Sequence, residues 1–301
     1  MKKYLVIFSI CTFILFAGES NSKRPVYKFA FIAQSTDTDT RDLTDYIKTQ
    51  ILSSNRGEAI LQTQIPTGIN LTSSINGDID VSSLKDDPTF KSAEKIVLVQ
   101  QKDSATQIQM VDMESGKLEY KNSLPTSISK TLLQDFFSFL DKKNIYLAIT
   151  EKKSSPTSPL KFSQLKSKYT AGEAIRFELE SNEDNYVYVM LIPGDKSDEP
   201  VLLFPSPTQT ANYLKKGQKV TIPDGDKSLQ AAPPYGRDKI KAFASKEEWT
   251  DFQFKNKKGD SFFKLLPPAL TGSKSISLPD VMSKTILDTS AIEWEMEVLP
   301  N

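Results

Sequence analysis

The chain has a single cysteine, Cys11, and no histidine. One cysteine cannot form a disulfide within the chain, and the usual structural zinc sites need cysteine or histidine ligands. The fold must therefore be held together by the packing of its apolar side chains. The same composition excludes Ser-His-Asp and Cys-His catalysis and any imidazole acid or base. We predict neither a metal site nor a cofactor, and binding is expected rather than catalysis.

Length and charge set two further bounds. The chain has 301 residues, which predicts two domains. Its 38 basic residues balance its 38 acidic residues, so no overall field attracts nucleic acid or an anionic membrane surface. Nucleic acid is therefore not expected as a partner.

Residues 1–22 have the three parts of a secretory signal peptide. Two lysines precede an apolar run over residues 4–17, and a small polar stretch follows. The run is shorter than the roughly 20 residues that cross a bilayer, and cleavage is predicted after Ser20 or Ser22. A retained anchor helix is the alternative. We expect a bacterial protein exported to the periplasm, or to the outer membrane and cell surface, with no transmembrane segment after the leader is removed.

Cys11 offers another interpretation of the leader, as the lipid-carrying cysteine of a lipoprotein. Such a cysteine should close the apolar run, whereas here the run continues beyond it. Cleavage of the signal peptide would leave a chain with neither cysteine nor histidine. No thiol nucleophile or redox switch would then remain.

Residues 24–149 are predicted to form a mixed α/β module with a small sheet. Residues 26–34 are rich in aromatic and β-branched side chains, which favours a buried strand. A helix follows, with apolar residues three and four apart from Leu43 to Ile51. Three strands of a meander are then expected at 95–101, 106–112 and 117–122. A last helix, capped by Ser127, presents an apolar face of Ile128, Leu132, Leu133, Phe136, Phe137 and Leu140.

Residues 150–160 are rich in serine and proline and show no apolar period, so we interpret them as a linker. Residues 161–301 are predicted to form a mainly-β, sandwich-like domain, because short apolar runs alternate there with turn residues. In the final strand, at residues 291–298, apolar residues alternate with glutamates. Residues 246–285 have little apolar pattern and are predicted to be a long surface excursion. The predicted fold class is α+β.

Three groups of carboxylates are candidates for a catalytic or metal-binding role. The first group, at the start of the first helix, comprises Asp37, Asp39, Asp42 and Asp45. It lacks the glycine and the twelfth-position glutamate of a calcium-binding EF-hand loop, so helix capping is favoured. The second group, which a glycosidase would need as a facing pair, comprises Asp184, Asp195, Asp198 and Glu199. The third group is Glu293, Glu295 and Glu297 on the final strand, where solvent exposure is favoured over a metal site.

Residues 168–245 carry a series of short motifs in a fixed order. They are Tyr169-Thr170-Ala171-Gly172-Glu173, Asn185-Tyr186-Val187-Tyr188, Leu203-Phe204-Pro205, Asn212, Gly217, Ile222-Pro223, Gly236 and a closing strand from Lys239 to Ser245. In this order they resemble the bacterial family named domain of unknown function 4384. The resemblance implies a mainly-β module, often joined to other domains in envelope or signalling proteins, and no established activity.

Residues 95–122, with a turn from Asp112 to Gly116, resemble the α/β modules of exported bacterial envelope-assembly proteins. Examples are the curli secretion lipoprotein and the N-terminal domain of the translocation protein of the Tol system. The resemblance implies a place in the cell envelope.

Aromatic side chains of the β-rich region suggest a surface that recognises a glycan or a peptide, although strand alternation also allows some of them to lie in the core. The candidate binding residues are Tyr186, Tyr188, Phe204, Asn212 and Tyr235, with Tyr213 beside them. We therefore expect an exported, non-catalytic binding or scaffold protein of the bacterial cell envelope, whose partner is an envelope protein or a glycan. The alternative is a hydrolase that acts on carbohydrate with a pair of carboxylates.

Overall fold

The computed structural model describes residues 25–33, 38–60, 80–102, 105–125, 130–194, 199–225, 228–250, 253–255, 262–266 and 285–300. The predicted leader lies outside these residues, as do Asp37, Ser127, Ile128, Asp195 and Asp198. Within the described part of the chain, no helix is long and apolar enough to span a membrane. The predicted α+β class, with a strand-rich C-terminal part, is confirmed.

The N-terminal module is built on one five-stranded sheet. Its elements are β1 (Lys28–Ala33), α1 (Thr38–Ser53), β2 (Glu58–Ala59), α2 (Ser82–Lys85), β3 (Lys95–Lys102), β4 (Ala105–Asp112), β5 (Leu118–Pro125) and α3 (Lys130–Glu151). The strand order is β2-β1-β3-β4-β5, in which β1 runs parallel to both β2 and β3. The predicted meander is present, and its turn places Gly116 at a φ of 74°, which glycine adopts without strain.

Both faces of this sheet are covered, because alternate residues of the central strands are apolar on both sides. On one face Phe29, Phe31 and Val97 pack against α1 and the first half of α3. On the other face Ala30 and Ile96 pack against the segment from Val81 to Ala93. The module therefore has two cores, one on each side of its sheet.

Helix α3 is longer than its predicted apolar face and belongs to both halves of the molecule. Its 22 residues span roughly 33 Å at the usual helical rise. Leu133, Phe136 and Leu140 are buried against the five-stranded sheet. One to three turns further on, Tyr146 and Ile149 are buried against a sheet of the C-terminal half. A single helix thus contributes to two separate cores.

The C-terminal half consists mainly of short strands. They are β6 (Leu160–Ser163), β7 (Lys168–Thr170), β8 (Ala174–Ile175), β9 (Phe177–Ser181), β10 (Asn185–Ile192), β11 (Val201–Phe204), β12 (Tyr213–Leu214), β13 (Lys219–Ile222), β14 (Leu229–Gln230), β15 (Gly236–Ser245), β16 (Gln253–Lys255), β17 (Phe263–Leu266) and β18 (Ser290–Leu299). The large sheet has the order β16-β17-β11-β10-β15-β18-β7, with β12 also paired to β10, and a three-stranded sheet has the order β13-β9-β6.

These two sheets pack face to face and form the sandwich. Its core joins Phe177 and Leu179 of the small sheet to Val189, Ala242 and Met296 of the large sheet. The opposite face of the large sheet carries the second half of α3. This arrangement follows from strict alternation, since consecutive residues of β10 and β15 enter different cores.

Residues 246–285 differ from the predicted surface excursion in two places. β16 and β17 extend the large sheet beyond β11, and Trp249 is buried against the face that carries α3. A lone tryptophan in a polar stretch has no periodic neighbours to reveal its burial, so the pattern alone was misleading.

Candidate functional site

Two neighbouring tyrosines, one exposed and one half-buried, lie at one end of the large sheet. Tyr186 is near the start of β10 and stands directly opposite Tyr213 of β12. Their ring centroids are 5.0 Å apart, and the rings are set edge to face at 63°. Tyr213 is 45% exposed, and Tyr186 is half-buried. We call Tyr186 and Tyr213 the tyrosine pair.

Stacked aromatic side chains support the tyrosine pair from below. Tyr186 packs against the buried cluster beneath α3. In that cluster the rings of Tyr188 and Trp249 are stacked 4.0 Å apart at 6°, and the backbone N–H of Trp249 donates to the Tyr188 hydroxyl over 2.7 Å. Burial raises the pKa of this hydroxyl. The tyrosine pair therefore rests on a closely packed base.

Charged groups of both signs lie close in the chain to the tyrosine pair. Lys246 follows Ser245, the residue of β15 that pairs with Tyr186. The Lys246 ammonium lies 2.6 Å from the Glu183 carboxylate and 3.3 Å from the Asp184 carbonyl. The Asp184 carboxylate accepts a hydrogen bond from the Lys216 backbone N–H over 2.8 Å. All four side chains are exposed. Exposed charged groups therefore lie at the same end of the large sheet as the tyrosine pair, and we call these four residues the polar rim.

Asn212 positions the strand that carries Tyr213. It is 8% exposed, and its carbonyl accepts a hydrogen bond from the Val187 N–H over 2.8 Å. Its side-chain amide lies 3.4 Å from the Val187 carbonyl. These contacts attach the end of the preceding loop to β10, and so hold Tyr213 in register with Tyr186.

The structure brings three of the five candidate binding residues together and separates the other two. Tyr186, Tyr188 and Asn212 share the end of β10, but Tyr188 is only 2% exposed and supports the site from within. Phe204 is fully buried in the sandwich core, on the opposite face of the sheet. Tyr235 is exposed but lies at the far end of β15, next to the residue that pairs with Val298. Tyr213 completes the surface that the sequence predicted only in outline.

Asp184 and Glu199, the two carboxylates of the second group that the structure describes, do not face each other as a glycosidase pair would. Asp184 lies just before the start of β10. Glu199 lies near the other end of β10, because it comes just before β11 and Val201 of β11 pairs with Leu191. The strand between them places the two carboxylates roughly 20–25 Å apart, well beyond the ~5–10 Å of glycosidase pairs. Glu199 instead pairs with Lys142. Asp195 and Asp198 lie outside the described residues.

Described members of the other two carboxylate groups have structural roles. Asp39 lies in the first turn of α1, where a negative charge stabilises the helix. On β18, the carboxylates of Glu293, Glu295 and Glu297 pair with basic side chains of β15 and β7. Across the described ranges, no three histidine, cysteine, aspartate or glutamate residues are grouped as a metal site would require.

Lys241 has a role that no sequence pattern indicated. It is fully buried on β15, and its ammonium lies 3.1, 2.7 and 2.8 Å from the carbonyls of Ile149, Thr150 and Lys152 at the end of α3. The Glu293 carboxylate is 3.0 Å away. Burial lowers the pKa of Lys241, and Glu293 opposes that shift. The one sequence feature that could have pointed to this buried lysine is its place between two apolar residues of a strand.

These contacts attach the end of α3 to the sandwich. The carbonyls of a last helical turn have no partner within the helix, and a cation there also interacts favourably with the helix dipole. The residues beyond α3 continue along the sandwich, where the Ser155 N–H donates to the Ala291 carbonyl over 2.7 Å. We call the contacts of Lys241 with α3 and Glu293 the lysine cap.

Comparison with known proteins adds a family and no activity. No curated protein matches the chain. The crystal structure of a Salmonella alpha-2-macroglobulin mutant is similar at 11% identity with a TM-score of 0.22, over 65% of this chain and 8% of that chain. The resemblance of the C-terminal half is confirmed: residues 168–248 match the family described as Domain of unknown function (DUF4384).

Proposed function

We propose that this chain is an exported, non-catalytic binding protein of the bacterial cell envelope and that the tyrosine pair is its recognition site. The observation that carries the proposal is the exposed Tyr213 ring, held against Tyr186 over a closely packed aromatic base. Tyrosine offers a large amphipathic surface at a small entropic cost, and exposed aromatic groups are frequent centres of recognition. The partner is an envelope protein or a glycan.

Binding is favoured over hydrolysis by the state of the carboxylates. Asp184 and Glu199 lie at opposite ends of β10, and Glu293 is held by two lysines. Burial would raise the pKa of Glu293, but hydrogen bonds from Lys239 and Lys241 outweigh it and hold the pKa below its usual range. A general acid for glycoside cleavage needs a raised pKa, which is the opposite shift.

Export and recognition can be tested together in the native cell. A photoreactive benzoyl-phenylalanine is placed at position 213, and the same group at position 235 serves as the matched control, because both tyrosines are 45% exposed. Cells are irradiated and fractionated, and the cross-linked products are identified by mass spectrometry. We expect envelope-fraction products specific to position 213.

Two results would contradict the proposal. Recovery of the protein in the cytoplasmic fraction with its first 22 residues intact would exclude export. Equal or no cross-linking at positions 213 and 235 would exclude the tyrosine pair as the recognition site.

A further inference from the structure

We propose that the tyrosine pair binds one sugar ring of a glycan whose ring substituents are all equatorial, such as a β1,4-linked N-acetylglucosamine or glucose polymer. The inference rests on the proposed function and names the class of ligand for that site. A pyranose of this kind has a flat face of C–H groups and a rim of hydroxyl or amide groups. The face suits an aromatic ring, and the rim needs hydrogen-bonding partners.

The arrangement of the tyrosine pair fits one sugar ring. The rings meet edge to face with centroids 5.0 Å apart, so Tyr213 can present its face to a ligand while Tyr186 supports its position. The ring of Tyr213 is about as wide as a pyranose. A ligand stacked on Tyr213 loses water from its apolar face and leaves its hydroxyl groups pointing outwards.

The polar rim supplies the groups that outward-pointing hydroxyls require. Glu183 accepts hydrogen bonds, and Lys246 donates them; their side chains are 58% and 67% exposed. Asp184 and Lys216 are also exposed beside this pair. Because both signs of charge are present and already pair with each other, the rim fits a neutral polar ligand better than a strongly anionic or cationic one.

A peptide fits this surface less well. Peptide and protein hot spots combine several large apolar side chains around a desolvated centre. Among the described residues, the large apolar side chains that are well exposed are Tyr46, Leu52, Tyr213, Tyr235 and Leu299. Of these, Tyr213 alone lies at this end of the sheet, so among the described residues a peptide would find one well-exposed aromatic ring there.

The test is calorimetric titration of the purified protein with chitotetraose and with cellotetraose. We expect a dissociation constant on the order of 0.1–1 mM for at least one of these probes, as a single stacked ring with a polar rim provides a modest surplus over the cost of association. Tyr213→Ala should weaken binding about tenfold or more, which corresponds to about 1.4 kcal/mol. Tyr213→Phe should retain binding, since the ring face is unchanged.

Tyr235→Ala is the matched control, because it removes an equally exposed tyrosine from the other end of the sheet. Binding of neither probe, or equal binding by Tyr213→Ala and Tyr235→Ala, would overturn the glycan inference. Position-213 cross-links to an envelope protein, without glycan binding, would overturn the inference and leave the proposed function standing. Absence of both cross-links and glycan binding would overturn both.

Discussion

The N-terminal module covers its sheet on both faces, whereas the described residues of the C-terminal half cover one face of the large sheet with an apolar core and the other face only in part. In the N-terminal module, apolar clusters lie on both sides of β1 and β3. In the sandwich, α3 and Trp249 cover one part of the outer face, and charged pairs of β15, β18 and β7 occupy another part. The recognition site that we propose lies on this partly covered face, where Tyr186 packs against the cluster beneath α3.

The two halves also bury charge differently. The N-terminal module buries complete ion pairs, such as Arg56 with Asp141 and Lys95 with Glu119. The sandwich buries Lys241 and satisfies it largely with the carbonyls of α3. Both arrangements act on the same helix, since Asp141 lies at its middle and Ile149 near its end. Helix α3 is therefore held by an ion pair on one side and by the lysine cap on the other.

The largest loss of stability is expected when the buried ion pair between Arg56 and Asp141 in the N-terminal module is broken. Arg56 Nε and Nη2 lie 2.6 and 3.0 Å from the two oxygens of Asp141, and the two residues are 8% and 4% exposed. Arg56→Met leaves a buried carboxylate without its cation, so the free energy of unfolding should fall by about 3–5 kcal/mol. Urea unfolding measures this loss.

The double variant Arg56→Met with Asp141→Leu is the control for this prediction. Because neither charge is then left unpaired, most of the stability should return. A loss below about 1 kcal/mol in the single variant would show that the buried pair is not essential to the N-terminal module.

The lysine cap should give the next largest effect. Lys241→Met removes the donor to three carbonyls at and just beyond the end of α3 and should lower the free energy of unfolding by about 2–3 kcal/mol. Faster hydrogen exchange should be confined to the last turns of α3 and the adjoining segment. Lys239→Met is the matched control, because Lys239 shares Glu293 but is 41% exposed in its side chain, and it should cost at most about 1 kcal/mol. Equal effects of the two variants would contradict the cap.

Acid should weaken the N-terminal module through Asp112. Burial favours its protonated form, but hydrogen bonds from Lys95 and Ser115 outweigh burial and lower its pKa to about 2. Since the folded pKa is below the unfolded value of about 3.9, this stabilisation is present above about pH 4 and is lost as the pH falls through 2. After solvent screening it amounts to about 1–2 kcal/mol.

Unfolding measured between pH 6 and pH 2 tests this prediction. Asp112→Asn should be less stable at pH 6 and should lose less stability on acidification than the unaltered protein. The exposed Asp45→Asn serves as the control for removal of a carboxylate. If the stability of Asp112→Asn depended on pH as that of the unaltered protein does, the acid effect could not be assigned to Asp112.

The smallest effect is expected on the charged part of the sandwich face. Arg237 and Glu295 lie 3.5 Å apart, with side chains 73% and 50% exposed. Arg237→Ala should therefore change the free energy of unfolding by less than about 0.5 kcal/mol, because exposed ion pairs are screened by water. Thermal unfolding measures this change. A change as large as that of Lys241→Met would show that exposed and buried charges of the sandwich contribute equally to its stability.

Local periodicity was enough to predict β1, α1, the meander of β3 to β5 and the final strand, because each has its own alternation of apolar residues. It could not predict that α3 is shared, since the apolar residues after Leu140 contact a sheet made from residues more than thirty positions away. It also could not separate Tyr188 and Phe204 from Tyr213. Which face of a strand is buried depends on the sheet that it joins, and the residues of the strand alone do not specify that sheet.

The position of β18 has a consequence for the order in which the chain can fold. β7 and β15 lie in the large sheet on either side of β18, which comes from residues 290–299. During synthesis, these two strands leave the ribosome long before the strand that joins them, and until then they have unpaired edges. The large sheet is therefore complete only after residues 290–299 have been made. Such late closure suits a protein that must cross a membrane before it folds, as the export we propose requires.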